Sequence, residues 1–131
     1  MSKGKVRIGI VGSGDMANNN ARNIAHNNAA ELVAIASRNI ETGSNLAKQY
    51  NAHFMPNWHE MVQRKDLDGI VVCTANDSHS EIIIGSLEYN KHVFTEYPLA
   101  RSLEEGKIAV KAAISKKRVL RVSHNEPVSE K

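Results

Sequence analysis

Four stretches of the 131-residue chain combine residue types and spacings that could do chemistry. The first is Gly12-Ser13-Gly14-Asp15-Met16-Ala17, a G-x-G-x-x-A turn. Gly12 allows a tight turn, and Gly14 has no side chain to hold a pyrophosphate off the backbone. Ala17 is small enough for a following helix to pack closely against the preceding strand. A phosphate over this turn would meet N–H groups left unpaired at the positive end of that helix. Asp15 suits the helix dipole but opposes a neighbouring phosphate, so its effect depends on side-chain direction. The second stretch, Ser37-Arg38, follows at roughly the twenty-residue distance where an acidic residue would bind a ribose 2′-hydroxyl. No Asp or Glu stands there. A hydroxyl followed by a guanidinium suits a 2′-phosphate, because Arg is a planar, multidentate donor. Hydrogen bonds to charged groups contribute about 1.5–3 kcal/mol each, enough for a tenfold or larger preference. These residues predict NADP rather than NAD. The third and fourth stretches, Thr74–His79 and Glu96–Pro98, each follow an apolar run.

The intervening pattern predicts what positions them. Val6, Ile8, Ile10 and Val11 form a β-branched strand, and Met16, Ala17, Ala21, Ile24 and Ala25 share one helical face. Glu31–Ser37 reads as a second strand, and Asn39 caps a helix from about Ile40 to Gln49. His53-Phe54 is a short third strand, and Asn57 with Glu60 caps a short helix through Val62. Gly69–Thr74 is a strongly apolar strand. Ser78 and Glu81 form a capping box for a helix ending near Tyr89-Asn90. Lys91–Glu96 and Arg118–Ser123 complete the strands. Between them Ser102 and Glu105 cap a helix that carries Leu103, Val110 and Ile114 on one face. Strands alternating with helices predict an α/β fold, a doubly wound parallel sheet of the Rossmann type. In such sheets ligands bind beyond the carboxyl ends of the strands, which is where all four stretches fall.

Composition narrows the function classes. At 41% hydrophobic and 24% charged residues, the chain has the make-up of an ordinary soluble domain. No apolar run is long enough to span a bilayer, and Met1–Lys5 leads straight into the first strand, which predicts a cytoplasmic protein with no membrane role. The single cysteine, Cys73, excludes an internal disulfide and reads as a buried structural thiol rather than a nucleophile. Six histidines (26, 53, 59, 79, 92 and 124) show no metal-ligand spacing. By position alone, His79 reads as a solvent-facing residue of a helix's first turn. The net charge of +3 owes much to Lys111, Lys116, Lys117, Arg118 and Arg121. Most of these suit a helix end, and without interleaved aromatics or a known motif they predict no nucleic-acid partner.

The segment Gly69 through Ala100, GIVVCTANDSHSEIIIGSLEYNKHVFTEYPLA, resembles the corresponding stretch of the Gfo/Idh/MocA oxidoreductases. Those enzymes carry a Thr-Pro-Asn-x-x-His turn after one strand and Glu-Lys-Pro after a later one. With GIVGSGDMA at the front, the likeness covers nearly the whole chain. It implies a nicotinamide cofactor on an N-terminal Rossmann domain, with a second, open-faced β domain holding a small-molecule substrate such as a sugar or polyol. Carried over, Thr74, Ala75 (in place of the usual proline), Asn76 and His79 lie along the cofactor. Glu96 lies near the nicotinamide ribose, and Pro98 fixes the backbone direction. Tyr97 stands where the family has lysine. A phenol with an unperturbed pKa near 10 is a poor base at neutral pH, so the usual alcohol oxidation is in question. Biliverdin reductases share Glu-Tyr-Pro, and their last strand ends similarly to Ser123-His124-Asn125-Glu126, which puts Asn125 beside the cofactor. In that reading Tyr97 is the catalytic-site residue that orders the site or donates to substrate.

These readings divide the chain into a Rossmann domain over residues 1–125 and a tail over 126–131, with the family's substrate domain absent. The expectation is the cofactor-binding half of an NADP-dependent oxidoreductase, turning over little by itself. The alternatives are a fragment of a biliverdin reductase-like enzyme and a non-catalytic NADP(H)-binding or interaction module. Surface left bare by the absent domain would favour a homodimer.

Overall fold

The computed structural model describes residues 4–74, 76–96 and 102–123, leaving aside the side chains of residues 76–78 and 123. Six strands alternate with five helices: β1 (Val6–Val11), α1 (Asp15–Ala25), β2 (Ala30–Ala36), α2 (Ile40–Gln49), β3 (His53–Met55), α3 (Trp58–Val62), β4 (Gly69–Val72), α4 (Asn76–Glu88), β5 (His92–Glu96), α5 (Leu103–Lys116) and β6 (Leu120–Ser123). All pairings are parallel, in the order β3-β2-β1-β4-β5-β6. This is the doubly wound arrangement the alternation predicts. Its direction reverses between β1 and β4, which opens a crevice there.

Successive strand residues point to opposite faces, so a sheet covered on both sides needs apolar residues at consecutive positions. Ile10 and Val71 face one layer with Ala17, Ala21 and Leu46, while Val11, Ile70 and Val72 face the other with Ile83, Leu87 and Ala109. Small alanines let α1 lie close to the sheet; Ala17 and Ala21 are wholly buried. Helices α2, α3 and α5 start where polar side chains satisfy their first amides. Asn39 Oδ1 accepts from Thr42 N at 3.0 Å and Ser102 Oγ from Glu105 N at 3.1 Å. Asn57 Oδ1 accepts instead from His59 N at 2.9 Å, one position short of the amide a capping box employs.

Two expectations are corrected. Helix α4 begins at Asn76, so Ser78 lies inside its first turn rather than capping it. The predicted apolar face of α5 is not the packed one. Leu103, Val110 and Ile114 are 76%, 46% and 72% exposed, while Ala109 and Ala113 meet the core. Side-chain size misleads here, because α5 packs chiefly on α4 and close helix–helix contact selects the small residues.

At the amino ends of the strands a polar lattice ties the layers together. Arg7 pairs with Glu31 at 3.1 Å, and Arg64 holds Asp66 at 2.7 Å. The ammonium of Lys91, 6% exposed, donates to the carbonyls of Arg64 at 2.5 Å and Leu67 at 2.8 Å. Burial lowers the Lys91 pKa, opposed by the nearby Asp68 and Asp66 carboxylates.

Candidate functional site

A cleft of about 530 Å3 opens at the carboxyl ends of β1, β2 and β4. Gly12, Ser13, Gly14, Ser37, Arg38 and Thr74 line it, so the structure brings together six of the residues singled out in the sequence.

Each glycine answers a different constraint. Gly12 has φ 124°, and a Cβ there would stand 2.5 Å from the Cys73 carbonyl oxygen. Its amide donates to Ala36 O at 2.7 Å while Cys73 N donates to Val11 O at 2.8 Å, stitching the end of β1 to both neighbours. Gly14 is the opposite case: a Cβ would meet nothing within 4 Å. It caps α1 with no side-chain hydrogen bond of its own. That combination fits an anion the size of a pyrophosphate. Asp15 is exposed and Met16 half-buried in the same turn, and Ala17 lies wholly buried beneath it.

At the end of β2 three hydroxyls form a chain. Ser13 Oγ lies 2.7 Å from both Ser37 Oγ and Thr42 Oγ1, and Ser37 Oγ accepts from Asn39 N at 3.1 Å. The exposed Arg38 guanidinium beside them makes no ion pair or hydrogen bond among the described residues. Helix α2 comes near enough to contribute Thr42 because Gly43 packs against Ser37 and Phe54; a Cβ at Gly43 would be 2.8 Å from Ser37 Cβ.

The ends of β4 and β5 carry a second polar group. Thr74 Oγ1 and Glu96 Oε1 are buried without hydrogen-bond partners among the described residues. Two such oxygens at adjacent strand ends suit ribose hydroxyls, which can donate to both. His79 corrects its reading from position alone: it is 6% exposed, with Nε2 2.6 Å from Thr95 Oγ1. Burial lowers its pKa, opposed by the nearby carbonyls of Glu96 and Thr74. Cys73 is an inert thiol, pushed up to about 12 by burial and by the Glu96 carboxylate, with Asn20 Nδ2 3.6 Å from its sulfur. His79 and Glu96 stand beside the cleft rather than lining it. Asn76 opens α4, while Ala75, Tyr97, Pro98 and Asn125 lie outside the described residues.

Thr42, Pro56, Trp58, Glu81 and Ile82 complete the site and were not singled out beforehand as site residues. One signal was available: β3 also has a carboxyl end, and Pro56 and Trp58 follow it. The glycine cradle, hydroxyl chain and orphaned acceptors together fit a dinucleotide, and comparison with known proteins agrees. A profile of the oxidoreductase family with an NAD-binding Rossmann fold, Gfo/Idh/MocA, matches residues 6–124. The chain belongs to the Gfo/Idh/MocA family.

Membership makes it an NAD(P)-binding domain of that family. Among relatives, the 4-carboxy-2-hydroxymuconate-6-semialdehyde dehydrogenase of a Sphingobium species is 29% identical over 91% of this chain and 38% of its own length. The glucose-6-phosphate 3-dehydrogenase of Bacillus subtilis is 31% identical over 78% of this chain and 29% of its own. A crystal structure of the Synechocystis biliverdin reductase, complexed with biliverdin and NADP+, superposes with a TM-score of 0.86 at 28% identity, over 89% of this chain and 37% of that one. The chain thus spans well under half the length of these relatives. No described helix is long and apolar enough to cross a membrane, and no described group of His, Cys, Asp or Glu could hold a metal ion.

Proposed function

We propose that this Gfo/Idh/MocA domain binds NADP(H) as the cofactor half of an oxidoreductase. The observation that carries the reading is the Ser37–Ser13–Thr42 hydroxyl chain next to Arg38, whose guanidinium has no partner among the described residues. A 2′-phosphate would accept from the hydroxyls and the fork of Arg38, whereas a bare 2′-hydroxyl leaves that cation without a partner. The nicotinamide supplies a hydride donor or acceptor when bound. The chain's own residues hold the dinucleotide: Gly12 and Gly14 open the backbone to the pyrophosphate, Arg38 and its hydroxyls take the 2′-phosphate, and Thr74 and Glu96 accept from the nicotinamide ribose.

The substrate is a small organic molecule held by protein beyond this domain, and the isolated chain turns over little. Glu96-Tyr97-Pro98 and the likeness to a biliverdin reductase favour a conjugated substrate as the second reading, since a hydride delivered to a carbon bridge needs no alcohol-deprotonating lysine. A cytoplasmic setting agrees with the lone thiol.

Parallel titration with NADPH and NADH tests the cofactor. NADPH should bind roughly tenfold or more tightly, and Arg38→Ala should remove most of that advantage while leaving NADH little changed. Equal affinities would overturn the NADP reading. Tight binding with no turnover, even in a protein of the relatives' full length, would favour the non-catalytic module.

A further inference from the structure

The cleft has two chemically different ends. One is the hydroxyl and guanidinium group of Ser13, Ser37 and Arg38, and the other is apolar, formed by Pro56, Trp58 and Ile82. One charged side chain interrupts the apolar end, that of Glu81. It is exposed and makes no hydrogen bond or ion pair among the described residues.

Its place is set by helix geometry. The Trp58 ring packs on Gly85; a Cβ there would be 2.8 Å from Cη2 and 2.9 Å from Cζ3 of that ring. Glu81 precedes Gly85 by four residues, so both occupy the same face of α4, one turn apart. The carboxylate therefore stands one turn above the indole, on the side nearer the carboxyl ends of the strands. Ile82, 1% exposed, fixes this rotation by pointing into the core.

A flat aromatic base fits between such walls, and the base of an adenine dinucleotide is joined to the ribose whose 2′ position faces Arg38. A carboxylate can only accept hydrogen bonds. Adenine offers it a donor at position 6, the amino group; hypoxanthine presents a 6-oxo acceptor at that place and carries its donor one atom away, at N1. We infer that Glu81 accepts a hydrogen bond from the adenine 6-amino group, so that the apolar end of the cleft selects the base as Arg38 selects the phosphate. This inference rests on the dinucleotide reading above.

The test compares NADPH with its hypoxanthine (deamino) analogue, following the fluorescence of Trp58, the single tryptophan of the chain. The wild-type chain should bind the analogue roughly tenfold or more weakly, the effect of replacing a charge-assisted hydrogen bond by two opposed acceptors. Glu81→Gln should close most of that gap, because an amide can accept from a 6-amino group or donate to a 6-oxo group. Equal binding of the two nucleotides by the wild-type chain overturns the role of Glu81 while leaving the dinucleotide reading intact. Discrimination that survives in Glu81→Gln overturns it as well. Failure of both nucleotides to bind at millimolar concentration overturns the dinucleotide reading, and this inference with it.

Discussion

The imidazole Nε2 of His79 lies 2.6 Å from the hydroxyl of Thr95, joining the first turns of α4 to the last residues of β5 beneath the carboxyl edge of the sheet. Both residues are buried, Thr95 completely. The bond fixes the direction of α4, and with it the placement of Thr74 and Glu81 on either side of the helix start.

Removing the hydroxyl leaves a buried ring nitrogen without its partner. Thr95→Val should therefore destabilise the domain by about 1–3 kcal/mol, read from the midpoint of urea unfolding. The same burial keeps His79 neutral at physiological pH. Because the folded state lowers the pKa of this base, the unfolded chain binds more protons between the folded value and about 6.5. Stability is complete above that unfolded value and falls as pH drops through the window. An NMR titration should place the His79 midpoint below 6.5, and a midpoint above it would contradict the buried, uncharged ring.

The two glycines of the phosphate turn should part company on substitution. Gly12→Ala forces a Cβ onto the Cys73 carbonyl and holds a non-glycine residue at positive φ, costing about 1–3 kcal/mol or more. Gly14→Ala meets no atom, so thermal unfolding should change by about 1 kcal/mol or less. Its Cβ enters the space assigned to the pyrophosphate, and NADPH affinity should fall about tenfold or more. Loss of binding with the fold kept is the signature to look for by calorimetry.

The amino-end lattice predicts an acid dependence of its own. Hydrogen bonding from Arg64 holds the Asp66 carboxyl down to about 2. Its contribution is present above the unfolded pKa of about 3.9 and is lost as pH falls towards 2. Since the Asp66 side chain is 40% exposed, water screens the pair, and Asp66→Asn should cost only about 0.2–1 kcal/mol at pH 7. That difference should shrink as pH falls through this window and vanish only below the folded value of about 2. Lys91→Ala should cost more, about 1–3 kcal/mol, because the carbonyls of Arg64 and Leu67 lose a buried donor.

Cys73 should resist chemistry while folded. With its thiol raised to about 12, iodoacetamide at pH 8 should label it slowly in the native chain and rapidly in urea. Fast native labelling would show a reactive thiolate beside the cleft instead.

Much of this was legible in the residues. The glycine turn, the strand ends at Ser37 and Thr74 and the caps at Asn39 and Ser102 are local devices, each working through neighbours a few positions away. Reading failed where distance in sequence hides a contact. Thr42 reaches Ser13 only because α2 folds back onto the glycine turn, and Trp58 and Glu81 line one cleft only because α3 packs on α4. Position alone places His79 in solvent for the same reason, its partner Thr95 being 16 residues away on another element.

The sequence by itself therefore determined the class of fold, the family and the glycine turn that ends β1, because periodicity and turn chemistry act over single elements. Tertiary structure alone decided which face of α5 is buried, since close packing against α4 favours Ala109 and Ala113 over Leu103 and Ile114. It alone decided, too, that Ser13 and Ser37, 24 residues apart, join Thr42 of α2 in one hydroxyl chain at the rim of the cleft that Arg38 lines. Such a site exists only after the sheet has brought its strand ends to a common edge, and no local interaction encodes that edge.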